Sequence, residues 1–129
     1  MAEFKWNDGK IDYDFENDSL LIYSPSHRGE YAKSYSIEDF IIDVDDQNQV
    51  ISYEFLNAAE LFGVPKSALN KGIHVKGKFN IERQKKRINI EIQLVVKYRN
   101  KQLQSNYVRD LVRDDLKNIK SSKASISAS

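Results

Sequence analysis

The chain has 129 residues, 40% hydrophobic and 30% charged, which is enough apolar matter for a packed core and excludes a disordered chain. It contains no cysteine, which excludes a disulfide framework, thiolate chemistry and cysteine-based metal sites, and fits a reducing compartment. The net charge of +1 hides an asymmetry: residues 1–63 carry four Lys/Arg against fourteen Asp/Glu (−10), and residues 64–129 carry sixteen against five (+11). Such halves point to a modular chain with an electrostatic partner. The opening MAEFKWNDGK holds no signal-peptide core and no apolar run reaches the length of a membrane span, so a cytoplasmic protein without membrane contact is expected.

Residues 1–9 show no period and read as an N-terminal arm. Ile11, Tyr13 and Phe15 alternate with Asp12 and Asp14, the period of a half-buried strand. Glu16-Asn17-Asp18-Ser19 is turn chemistry, and Leu20 to Tyr23 returns as the second strand. The loop Ser24–Glu30, marked by Pro25 and Gly29, leads to a third strand on Tyr31, Lys33, Tyr35 and Ile37. Phe40–Val44 and Val50–Leu56 make the fourth and fifth strands around the acidic turn Asp45-Asp46-Gln47-Asn48. A five-strand antiparallel meander is expected. Asn57 with Glu60 resembles a capping box for a short helix, ended by Gly63 and Pro65. This segment divides an acidic module, residues 10–63, from a basic one, residues 64–120.

The basic module opens with two long alternating runs. Ile73, Val75, Gly77, Phe79 and Ile81 share one face, as do Ile88, Ile90, Ile92, Leu94, Val96 and Tyr98. The tip between them is Arg83-Gln84-Lys85-Lys86-Arg87, so a basic hairpin is expected. Leu103 to Tyr107 reads equally as a third strand or a helix start. Val108, Leu111, Val112, Leu116 and Ile119 fall on one helical face, which predicts an amphipathic helix over the second sheet. Residues 121–129, SSKASISAS, lack a core-forming pattern and read as a disordered tail. The expected fold class is α+β, with two small antiparallel β-sheet modules, each followed by a helix.

Two blocks of the first half carry a family resemblance. Tyr13-Asp14, Asp18, Leu20 and Ile22 form one; Asp43, Asp45, Val50, Glu54, Leu56 and Ala58 form the other. In order and spacing they resemble domain-of-unknown-function family 2283 over residues 10–60. Two positions that are usually glycine in that pattern are Asn48 and Ser52 here, and Asn48 still tolerates a left-handed turn. The resemblance implies a small antiparallel sheet followed by a helix and no established activity; by analogy it implies partner proteins, some of toxin–antitoxin type.

Several constellations compete as sites. Asp43, Asp45, Gln47, Asn48 and Glu54 outline a calcium loop, but no helices flank them and Asn48 stands where glycine makes the turn, so an acidic hairpin turn is the better reading. Asp12, Asp14, Glu16 and Asp18 could approach that turn in space, but neither cluster has a histidine partner. A solvated acidic face that protects strand edges is expected. His27 and His74 read as surface residues, and the five glycines are scattered singly, with no phosphate loop. The remaining constellation is basic: Lys76, Lys78, Arg83, Lys85, Lys86, Arg87, Lys97, Arg99 and Lys101, on a ribbon suited to a nucleic-acid groove. Its polar face offers no aromatic ring for base stacking. The expectation is a non-enzymatic binding protein without cofactor or metal, assembling with a protein partner or as a homo-oligomer. Nucleic acid is the alternative partner, and a small enzyme or metal-binding protein is the weakest reading.

Overall fold

The computed structural model describes residues 4–6, 9–27 and 29–128. The remainder of the expected arm (residues 1–3, 7 and 8), Arg28 and the last tail residue lie outside the described residues. Among the described residues ten strands form two five-stranded sheets. The first contains β2 (Lys10–Asp14), β3 (Ser19–Tyr23), β4 (Tyr31–Ile37), β5 (Phe40–Asp45) and β6 (Val50–Phe55). Helices α1 (Ala58–Phe62) and α2 (Lys66–Leu69) then lead to β7 (Ile73–Glu82), β8 (Arg87–Tyr98) and β9 (Lys101–Val112). A short 3-10 turn, Asp114–Asn118, precedes β10 (Ser122–Ala128), which pairs with both β7 and β1 (Phe4–Trp6).

The α+β expectation is corrected: the chain is predominantly β, and among the described residues there are two short α-helices and no amphipathic helix. Val108, Leu111 and Val112 belong to β9, which continues in unbroken antiparallel register from Tyr98↔Lys101 to Arg87↔Val112. The hairpin turn Arg99-Asn100 has both residues at positive φ, as a two-residue turn matched to strand twist requires. Pairing with a 12-residue neighbour and strand-favouring Tyr and Val side chains outweigh a helical spacing that five positions happen to satisfy. The expected disordered tail is corrected as well. Along β10, Ala124 and Ile126 turn inward and are buried while Lys123, Ser125 and Ser127 face out.

The first sheet has its strands where the alternation places them, but it is no meander: the order is β2-β3-β6-β5-β4. The strands buried along most of their length, β3, β5 and β6, take the centre, and the polar strands β2 and β4 take the edges. The long loop after β3 carries the chain past the place β6 will fill.

Inward faces of both sheets join in one hydrophobic cluster, a two-layer packing. Tyr53 of β6 stacks on Phe79 of β7, and Phe55 meets Tyr107 of β9 edge-on at 5.8 Å. Polar ties cross the same boundary. Arg109 of β9 forms an ion pair with Glu38, Tyr107 donates to Asp39 at 3.3 Å, and the Lys120 amide donates to the Asn48 carbonyl at 2.8 Å. Acidic and basic halves therefore meet within one core. Among the described residues no helix is long and apolar enough to cross a membrane.

Candidate binding surface

The residues that carried the family resemblance build the scaffold. Tyr13 Oη donates to Asp18 Oδ1 at 2.6 Å, and the Asp18 carboxylate accepts the Ala59 amide at 3.1 and 3.2 Å. The Asp18 carbonyl takes the Ala58 amide at 3.0 Å. Asp18, from a turn 41 residues earlier, thus supplies the acceptors for the first amides of α1. Asn57 stands at the N-cap in a left-handed conformation with no side-chain cap bond, so the capping-box reading of Asn57 and Glu60 is corrected. Leu20, Ile22, Val50 and Ala58 are core residues, and Glu54 accepts from Ser19 Oγ at 2.8 Å.

The acidic turn is likewise occupied by its own chain. Asp43 accepts from Ser34 Oγ at 2.6 Å and Ser52 Oγ at 2.7 Å. Asp45 is buried, accepts the Gln47 and Gln49 amides at 2.8 and 2.9 Å, and contacts His27 Nε2 at 3.0 Å. His27 is accordingly a largely buried partner of Asp45 rather than the expected surface residue. Asn48 holds φ 63°, the left-handed geometry expected of it. The two acidic clusters do not converge, because β2 and β5 are separated by β3 and β6, roughly 14 Å at ordinary strand spacing. Among the described residues no group of three or more His, Cys, Asp or Glu is placed to hold a metal ion.

The nine basic residues fall into three places. At the tip, Arg83 donates its Nε to the Ile119 carbonyl at 3.1 Å, Lys85 pairs with Glu82 at 3.1 Å, and Lys86 with Asp114 at 2.9 Å. Arg87 grips Asp110 through two hydrogen bonds of 2.8 and 2.5 Å. The Arg87 donors hold the Asp110 carboxyl below its ordinary range, and bonds from Lys86 and Lys117 do the same for Asp114. Four of the five acids in residues 64–129, Glu82, Asp110, Asp114 and Asp115, are spent in ion pairs around this end. Lys97, Arg99 and Lys101 sit at the opposite end of the β8–β9 hairpin, with the Arg99 guanidinium 5.1 Å from the Tyr98 ring centre. That is about 35 Å from the tip along a 12-residue strand.

Lys76 and Lys78 occupy the third place, the outer face of the second sheet. Twist curls this face into an open trough of about 570 Å³ across β10, β7, β8 and β9. One row across it is Ser127, Lys76, Gln93 and Asn106; the next is Ser125, Lys78, Glu91 and Val108. Neither lysine forms an ion pair among the described residues. A charge count finds the two lysines in the sequence, but grouping them with these amides and hydroxyls needs the pairing of β9, open between strand and helix start at Leu103–Tyr107, and of β10, which reads as a disordered tail. A second cleft of about 500 Å³, lined by Glu38, Asp39, Leu56, Asn57, Glu60 and Leu61, lies beside α1.

Residues 10–58 match the model of a family described as "Protein of unknown function (DUF2283)". An uncharacterized protein of Methanocaldococcus jannaschii is 42% identical over 64 residues, 50% of this chain and 53% of its own length. A protein of Methanosarcina mazei named "Putative hypoxanthine phosphoribosyltransferase" is 30% identical over 92 residues, 71% of this chain and 72% of its own length. The chain thus spans about half of the first relative and nearly three quarters of the second. No solved structure matches.

Proposed function

Because residues 10–58 make this chain a member of the DUF2283 family of proteins of unknown function, we propose that it is a non-enzymatic binding protein of the cytoplasm that works through protein–protein contacts. The observation that carries this reading is the trough: an open sheet face, polar along four strands and presenting exposed Val108. Its width and openness suit an extended protein segment better than an enclosed small molecule.

Phosphoribosyl transfer, the activity in the name of the M. mazei relative, finds little support here. A phosphate cradle is commonly a glycine-rich loop opening a helix. The two α-helices among the described residues have five and four residues, and the five glycines of the sequence stand singly. Nucleic acid is the second reading, favoured by Lys76 and Lys78 lying free of ion pairs among the described residues; the tip favours it less, because Lys85, Lys86 and Arg87 are already matched by carboxylates.

A photo-reactive amino acid in place of Gln93, on the trough floor, tests the proposal in cells. A nuclease-resistant adduct with a second polypeptide is expected. A nuclease-sensitive adduct would move the assignment to nucleic acid, and the absence of any adduct would overturn both.

A further inference from the structure

We infer that β9 is the self-association edge of this protein, pairing antiparallel with β9 of a second copy about a two-fold axis at Val108. This rests on the reading that the protein works through protein contacts, and names one partner as the chain itself. The strand order ends at β9, so among the described residues a 12-residue strand has one side paired and one side free. The turn Arg99-Asn100 makes Tyr98 and Lys101 the hydrogen-bonded closing pair of the hairpin. With the register unbroken, odd-numbered residues of β9 direct their amides and carbonyls to β8, and even-numbered residues direct theirs outward. A free edge of this length is a template for another strand; β9 lacks two of the usual defences, a proline and a bulge, and two of its outward residues, Val108 and Val112, are 65% and 69% exposed.

The side chains select the occupant and the register. With the axis at Val108, valine meets valine, Asn106 faces Asp110 of the second copy, Gln104 faces Val112, and Tyr107 faces Arg109. No like charges oppose. The Asp110 carboxylate keeps acceptor sites beyond its bonds to Arg87. Moving the axis by one or two residues toward the C-terminus sets Arg109 against Arg109 or Asp110 against Asp110, which is unfavourable at direct cross-strand positions. The pairing adds roughly ten backbone hydrogen bonds and sets two troughs side by side, since Asn106 and Val108 line the trough wall nearest the axis.

The chain has no cysteine, so single replacements report the register directly. Val108→Cys is expected to give a covalent dimer on mild oxidation. Asn106→Cys and Asp110→Cys are expected to cross-link when mixed and poorly when alone, and Asn17→Cys, on a turn of the other sheet, should cross-link poorly. Sedimentation of the native chain should show a dimer. Asn106→Pro removes one outward amide per copy and should raise its dissociation constant about 100-fold, a factor of ten for each of two lost hydrogen bonds, with an unchanged circular dichroism spectrum. A native monomer at all concentrations, or equal cross-linking at positions 17 and 108, overturns the inference. If an adduct at Gln93 with a different protein persists in that monomer, the broader binding reading stands and self-pairing alone falls.

Discussion

Tyr53 lies flat on Phe79, ring centres 4.1 Å apart and planes 21° from parallel, and so joins the family-type sheet to the sheet outside it. Both rings are essentially fully buried. Phe79→Ala should lower unfolding free energy by about 3–5 kcal/mol, and signals from both sheets should disappear in one transition. Denaturant unfolding followed by residue-resolved NMR checks this; two separated transitions would contradict a shared core.

The tie between Asp18 and α1 makes a contrasting pair of substitutions. Asp18→Ala should cost about 1–2 kcal/mol, the upper part of the range for a lost N-terminal cap. Asn57→Gly should be neutral or slightly stabilising, because Asn57 holds φ 51° without a side-chain cap bond and glycine adopts that geometry without strain. Urea midpoints at fixed m-value separate the two.

Alkaline pH should unfold the protein through its tyrosines. Burial, the larger cause, raises the Tyr13 and Tyr107 hydroxyls above their ordinary pKa, and the neighbouring carboxylates Asp18 and Asp39 raise them further; Tyr53 is raised by burial. With folded values above unfolded ones, the stabilisation is full below pH of about 10. It declines as pH rises beyond that, because the unfolded chain releases these protons first. Phenolate absorbance should show Tyr13, Tyr53 and Tyr107 still protonated above pH of about 10, until unfolding releases them together.

The serine-rich end should prove structural. Ile126→Ala should cost about 2–4 kcal/mol, although the stretch around it reads as polar and simple. At Gly77 an added Cβ would sit 3.1 Å from the Phe79 ring and 3.3 Å from Ile126, so Gly77→Ala should cost about 1–3 kcal/mol by overpacking. Thermal unfolding of both variants tests these values.

Matched charge at the tip leads to a fifth expectation for solution behaviour. Replacing Lys85, Lys86 and Arg87 together with alanine should change the slope of log affinity for duplex DNA against log salt by less than about 1, the contribution of one neutralised phosphate. A change near three would mean that the tip cations leave their carboxylates to hold nucleic acid.

The five strands of the first sheet were readable, because Ile11 and Tyr35 sit in a period of two while Leu20–Tyr23 and Phe40–Val44 are short apolar runs next to turn residues. Their order was not readable, since β3 meets β6 through contacts more than thirty residues apart, such as Leu20↔Phe55. In β9 the run Leu103, Ser105 and Tyr107 after Asn100 carried the strand signal, but Val108, Leu111 and Val112 imitated a helix more strongly. Serines beside Ala124 and Ile126 diluted the apolar signal of β10. Basic residues were visible by composition, whereas the partners of Arg87 and Lys86 lie 23 and 28 residues away, and only the folded hairpin brings them together.

The position of β10 between β1 and β7 has a consequence for synthesis. Phe4–Trp6 leave the ribosome early, yet their hydrogen-bonding neighbour, Ser122–Ala124, is translated more than a hundred residues later. Until then the β7 edge stands open beside Phe79, and the second sheet cannot close. Contacts of such sequence separation slow folding and leave intermediates with exposed strand edges. The interval between translating Phe79 and translating Ile126 is therefore when the nascent chain has most need of a chaperone.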